Sequence, residues 1–135
     1  MTGDIAVRLQ GCGIRATAPR LQIAELLLAA PQHLSAEQLT EALRQGGLTV
    51  SKATVYNTLG LFVDRGLVRQ VIVDSTRVFY DSNTTPHYHF YNIDDGTLTD
   101  VETTHVAIEH LPAPPAGTVA EGVDIVIRLR NQAAH

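Results

Sequence analysis

Cysteine is almost absent from this chain: of 135 residues, only Cys12 carries a thiol. A single cysteine excludes an internal disulfide framework and any zinc site built on cysteines. It fits a reducing compartment, so a cytoplasmic location is expected. Tryptophan is missing altogether. No apolar run approaches the roughly 20 residues that cross a bilayer. No basic stretch followed by an apolar one opens the chain, so secretion is not indicated. Basic charge is also scarce, with ten Lys and Arg against 14 Asp and Glu and a net charge of −4. That balance at first argues against a nucleic-acid partner. Neither an internal repeat nor a low-complexity segment is visible.

What is present is unevenly placed. Residues 1–80 carry eight Arg and Lys against six Asp and Glu, whereas residues 81–135 carry two against eight. The asymmetry predicts two functional halves, of which the first can meet phosphates and the second cannot easily do so. Hydrophobic residues make up 44% of the chain, enough for a packed core, and the length suits one domain or two very small ones.

The first half reads as helices followed by a hairpin. A short amphipathic segment, Ile5 to Gln10, ends at Gly11 and Gly13. Thr17 is a good N-cap and Pro19 suits a first turn. Leu21, Ala24, Leu27 and Leu28 then recur at helical spacing as far as Pro31. Ser35 with Gln38 forms a capping box for a second helix, whose stripe is Leu39, Ala42 and Leu43 and which Gly46-Gly47 ends. His33 stands before that helix, in an expected loop. Ser51 caps a third helix with Val55, Leu59 and Phe62 facing inward. Lys52, Thr54, Tyr56 and Asn57 fall away from that stripe near its start. Two capped helices joined by a short Gly-containing turn make a helix-turn-helix, whose second helix presents its N-terminal residues to base edges. The stretch from Leu67 to Asp81 then alternates as two strands around Asp74-Ser75-Thr76. A hairpin there is a wing, with Arg69 and Arg77 able to contact phosphates.

The second half is organised around the stretch from Asp81 to Asp100. His87 and His89 lie two apart in a run of aromatic and β-branched residues, so they share one face of a strand. Asp94-Asp95-Gly96 is a turn signal, with Leu98 and Val101 in a returning strand. If the loop is Asp94-Asp95, His89 faces Asp100; if it is Asp95-Gly96, His89 faces Glu102. The Asp-Gly signal favours the second register, and both put a carboxylate beside His89. Two imidazoles and a carboxylate on one face suit Fe, Mn or Zn, with Asp81 as a possible fourth ligand. A short helix is expected over about 104–111, capped by Thr103 or Thr104 and stopped by Pro112, Pro114 and Pro115. A final strand alternates Val123, Ile125, Ile127 and Leu129. A unit of about 50 residues is too small to stabilise itself well, which predicts a homodimer.

The expected class is therefore α+β: a winged helix-turn-helix DNA-binding domain at 1–81, a polar hinge at 82–86, and a small α/β dimerisation and metal- or haem-sensing domain at 87–135. A metal-dependent enzyme using the His-x-His pair would need an open coordination position and a substrate pocket. Nothing else in the chain suggests one, so no enzymatic role is expected.

The segments RATAPR, HLSAEQLTEAL, VSKATVYNTLGLFVDRGLV, RVFYD and HYH, taken in order, resemble the Fur superfamily of metal-dependent bacterial repressors. Within it, the stretch from Gly96 to Arg130 is most similar to the iron response regulators, Irr, of rhizobia and related alphaproteobacteria. The resemblance implies a metal site on His33, Asp81, His87, His89 and Asp100, preferring Asp100 over Glu102. It implies DNA contacts from the first half, for which Arg15, Thr17, Arg20, Ser51, Lys52, Thr54, Tyr56, Asn57, Arg69 and Arg77 are the candidates. It also implies operator binding when iron is scarce, and haem near His87 and His89, from haem itself or a haem-delivering enzyme. The family's structural zinc on C-x-x-C pairs is not expected: the first pair falls on Asn92 and Asp95, and the later pair is missing. A second regulatory metal site is not expected either, since its positions hold Pro86 and Tyr88. A Cys-Pro haem motif is absent, because Gly13 follows Cys12. The same ligand set occurs in peroxide-sensing members, in which bound Fe(II) would oxidise nearby histidines such as His33 or His87.

Overall fold

A computed structural model of the chain describes residues 2–29, 33–84 and 87–133. The chain forms two compact units, Met1–Thr84 and Thr85–His135. Two residues of the expected hinge, Thr85 and Pro86, lie outside the described residues, as does Pro31 at the expected end of the first helical stripe.

The first unit holds α1 (Thr2–Gly11), α2 (Ala18–Leu28), β1 (His33–Ser35), α3 (Ala36–Gln45), α4 (Lys52–Asp64), β2 (Arg69–Asp74) and β3 (Arg77–Asp81). The amphipathic segment near the start is thus a full helix, which buries Ile5 and Leu9. Thr17 is the N-cap residue of α2, in extended geometry, with Pro19 in the first turn. The residues α2 buries are Ile23, Ala24 and Leu27, while Leu21 and Leu28 sit at the margin of the core. The capping box of α3 is formed as expected, with Gln38 N–H donating to Ser35 Oγ and Ser35 N–H to Gln38 Oε1. Ser51 caps α4, and Val55, Thr58, Leu59 and Phe62 face inward. All four helices send side chains into one cluster that includes Leu9, Leu27, Leu39 and Phe62. Gly13, between α1 and α2, has a φ of +73°, and its carbonyl accepts from Arg65 Nη1 at 2.9 Å. The left-handed backbone favours glycine there, whereas a Cβ would meet only the end of the flexible Arg65 side chain, at 2.9 Å.

The wing is the hairpin β2–β3, turned at Ser75-Thr76, where Asp74 Oδ1 accepts from the Thr76 N–H and hydroxyl. One expectation fails here. His33 is not in a loop but opens β1, which pairs antiparallel with β3 in a sheet of order β1-β3-β2. A three-residue strand has too little sequence to show alternation, and its partner 44 to 48 positions further along the chain defines it.

The second unit holds β4 (His87–Asn92), β5 (Leu98–Glu102), a single 3-10 turn (Thr103–His105) and β6 (Val126–Leu129). β4 is central, antiparallel to β5 and parallel to β6. The hairpin register pairs His89 with Asp100 and His87 with Glu102, so the register favoured by the Asp-Gly signal is not the one adopted. Neither expected two-residue loop forms. The loop is Ile93–Gly96, closed by Asn92 N–H donating to Thr97 O and Gly96 N–H to Asn92 O. Asn92 Oδ1 also accepts from Asp94 N–H, and Gly96 supplies the positive φ that ends the turn.

The helix expected over 104–111 is not formed beyond the 3-10 turn. Residues 107–124 are all exposed, and without burial of an apolar face a short helix there is marginal. The last strand is shorter than its alternation, and Val123 and Ile127 remain exposed.

Candidate metal-binding residues and nucleic-acid face

In the first unit the pairing of β1 with β3 sets His33 opposite Asp81, and β2 sets Arg69 on the other side of Asp81. His33 Nε2 lies 3.2 Å from Asp81 Oδ2. The other carboxylate oxygen, Oδ1, accepts from Asn83 N–H at 2.9 Å, which fixes the carboxylate's orientation. Asp81 is fully buried, and a buried carboxylate needs partners of this kind to remain charged.

In the second unit β4 alternates inward at His87, His89 and Tyr91. Both histidines turn Nε2 to one oxygen of Asp100: His87 at 3.3 Å and His89 at 3.6 Å from Oδ1. Their rings meet edge to face with centroids 4.5 Å apart. Glu102 stands opposite His87 in register and is exposed. These separations exceed the usual hydrogen-bond length of about 2.9 Å. The three donor atoms lie close enough together to face one ion. Two imidazole nitrogens and a carboxylate oxygen are the donor chemistry of Fe, Mn and Zn. The residues of each set are therefore chemically suited to a divalent ion.

The nucleic-acid candidates lie elsewhere in the first unit. Lys52, Tyr56 and Asn57 are exposed on α4, and Thr54 is half-buried. The Ser51 hydroxyl is engaged in capping, accepting from Thr54 N–H and donating to Thr54 Oγ1. Thr17 and Arg20, at the start of α2, line one groove with Thr54 and Asn57. Arg15 is exposed, and its carbonyl accepts from Arg20 Nη1 at 2.8 Å, which orders the Arg20 side chain. Arg77 is exposed beside the wing turn, whereas Arg69 is half-buried at the other end of the hairpin, opposite Asp81.

Sequence reasoning missed Glu37. Its Oε1 accepts from the Tyr56 hydroxyl at 2.8 Å, tying α3 to α4. The Tyr56 hydrogen bond, first among several causes, holds the Glu37 carboxyl below its usual range, and the same bond pushes the Tyr56 phenol up. Lys52 Nζ lies 5.9 Å from the centre of the Tyr56 ring. The two bonded residues are 19 positions apart on different helices, so no local pattern announces them.

Residues 11–114 match the model of the Ferric uptake regulator family. Over 94 residues the chain is 32% identical to the peroxide-responsive repressor PerR of Staphylococcus aureus. That match spans 70% of this chain and 64% of the relative, so the chain spans just under two thirds of the relative's length. Among solved structures, the ferric uptake regulator of Pseudomonas aeruginosa with manganese is similar at a TM-score of 0.69 and 25% identity, covering 94% of this chain and 97% of that one. The Vibrio cholerae ferric uptake regulator shares the fold at a TM-score of 0.71 and 22% identity, covering 93% and 98%. The α+β class expected from the sequence is the class of these structures, and the family match runs through both units: this chain belongs to the ferric uptake regulator family.

Proposed function

We propose that the chain is a DNA-binding transcriptional regulator, acting as a homodimer, whose affinity for operator DNA is set by a divalent metal. The observation that carries this reading is α4. It is capped by Ser51 and buried on one face, and it presents Lys52, Tyr56 and Asn57 outward near its start, beside a wing bearing Arg77. That is the geometry in which a second helix reads the major groove. Asn57 can pair with adenine, and Tyr56 can meet thymine methyl groups. Double-stranded operator DNA is the partner, and the role is regulatory rather than enzymatic.

The metal site of this proposal takes His33 and Asp81 from the first unit and His87, His89 and Asp100 from the second. One ion, Fe, Mn or Zn, would then tie the helix-turn-helix to the dimerisation unit and set the spacing of the two recognition helices. Metal binding and DNA binding become thermodynamically linked. Support comes from donor chemistry in both units, and from the manganese named for the Pseudomonas aeruginosa relative. No described helix is long and apolar enough to cross a membrane, which agrees with a cytoplasmic regulator.

In the finer reading the protein controls iron homeostasis as Irr-type proteins do. It binds operator when iron is scarce and releases it when haem reaches His87 and His89. A second reading is a peroxide- or metal-sensing repressor, favoured by the similarity to the Staphylococcus aureus peroxide-responsive repressor. One gel-shift series separates them, using a palindromic duplex recovered by the protein from a randomised pool. The samples are metal-free, Mn(II)-loaded, Zn(II)-loaded and haem-titrated. Metal-dependent binding that falls with haem, and no longer does so in His87→Ala and His89→Ala, supports the Irr-type reading. Metal-dependent binding indifferent to haem but lost after peroxide treatment of the Fe(II) form supports the second. Binding that is sequence-specific yet indifferent to every metal removes the proposed switch.

A further inference from the structure

We propose that Glu37 is a positioning residue for operator discrimination: by accepting the hydrogen bond of the Tyr56 hydroxyl, it presents the tyrosine ring, not its hydroxyl, to the bases. The inference rests on the reading of α4 as the recognition helix.

A phenol has one proton to donate. Here that proton is directed at Glu37 Oε1, 2.8 Å away on the first turn of α3. It is then not offered to a phosphate or a base acceptor. What remains outward is an apolar ring, with Lys52 Nζ 5.9 Å from its centre on the same helix. Such a ring suits the 5-methyl group of thymine. The position of Glu37 is itself set locally, because the Ser35–Gln38 capping box fixes the turn of α3 on which it stands. A carboxylate on a face that meets phosphates is a net repulsion. Its presence there is accounted for by the tether, which strengthens as the docking surface loses water.

The test compares wild type, Glu37→Ala, Glu37→Gln, Tyr56→Phe and the Glu37→Ala/Tyr56→Phe double variant as metal-loaded full chains. Each is measured at one salt concentration on two duplexes: the one wild type recovers from a randomised pool, and a scrambled version. Glu37→Ala and Tyr56→Phe should each lower the ratio of the two affinities by about five- to tenfold, a magnitude typical of one lost hydrogen bond. The double variant should lose no more than either single one. Glu37→Gln keeps an acceptor oxygen at the same reach without the charge, so it should stay near wild type. An independent readout is the phenol titration followed by ultraviolet absorbance, in which Glu37→Ala should bring Tyr56 down toward the ordinary tyrosine range.

Three results overturn the inference. One is a Glu37→Ala ratio equal to wild type, including the case where both affinities merely rise together. The second is additive losses in the double variant. The third is Glu37→Gln losing as much as Glu37→Ala, which would make the effect one of charge. Failure of the underlying reading looks different: Tyr56→Ala then leaves discrimination intact.

Discussion

Asp81 has two oxygens with two different tasks. Oδ1 is held by the Asn83 backbone and Oδ2 faces His33. Oδ2 is the oxygen turned to His33, and the bond to Oδ1 fixes the carboxylate's orientation, which lowers the entropic cost of binding a cation. Asp100 is the counterpart in the second unit, with a single oxygen facing two imidazoles. If one ion takes ligands from both units, a substitution in either should weaken it. His33→Ala and His89→Ala should each lower Mn(II) affinity by about a hundredfold or more, read by calorimetric titration of metal-free protein. Should His33→Ala leave Mn(II) affinity at the wild-type value while His89→Ala abolishes it, the ion belongs to the second unit alone. At this scale much of the candidate site was legible. The His-x-His spacing is local, and a two-residue period puts both rings on one face whatever the turn does. Asp100 against Glu102 was not decidable by the turn signal, because Asn92 recruits the turn N–H groups and lengthens the loop to four residues.

The elements show where local rules suffice and where they stop. The capping box at Ser35 and the cap at Ser51 are local hydrogen bonds, and both formed as the sequence indicates. β1 and the Tyr56–Glu37 contact are defined by distant partners, so periodicity was silent about them. The hairpin loop of the second unit adds a case in which chemistry was substituted. The residues at the positions of the family's first C-x-x-C pair, Asn92 and Asp95, form hydrogen bonds instead. Asn92 Oδ1 accepts from the Asp94 and Asp95 N–H groups, and Asn92 Nδ2 donates to Asn131 Oδ1 at 2.8 Å. Asp94 Oδ2 accepts from Asn131 N–H, also at 2.8 Å. The segment after β6 is thus clasped to the β4–β5 loop by hydrogen bonds. Asn92→Ala removes three of these bonds, all exposed, and should destabilise the loop by about 1 kcal/mol. In native-state hydrogen exchange the Asp94 amide should exchange about fivefold faster, by the usual conversion of free energy to rate. An unchanged Asp94 amide would show that the clasp is a surface contact of no energetic weight.

At the scale of the whole molecule, the two units differ in how well each can hold itself together. The principal core cluster lies wholly within the first unit, drawing on all four helices. In the second unit, among the described residues, Tyr91, Leu98 and Val101 are the buried hydrophobics. The face of its sheet that carries Phe90 also carries Ile127, by register of β4 with β6, and Ile127 is 37% exposed. The alternation of Val123, Ile125, Ile127 and Leu129 was legible, but among the described residues Val123 and Ile127 stay exposed. The expected helix at 104–111 likewise stops at the 3-10 turn, and Ile108 and Leu111 are exposed. A second copy of the chain would cover these residues. Ile127→Lys tests this directly. In an isolated chain a lysine at an exposed position costs little, within about 0.5 kcal/mol. In a dimer that buries the position it must strand a charge, and the dimer should fall apart. Sedimentation velocity at micromolar concentration should find wild type at twice the chain mass of 14.6 kDa and Ile127→Lys at that mass. A palindromic operator should lose affinity in step, because two recognition helices no longer arrive together. Wild type sedimenting as a single chain, with Ile127→Lys indistinguishable from it, would leave these residues uncovered and remove dimerisation as the link between metal and DNA.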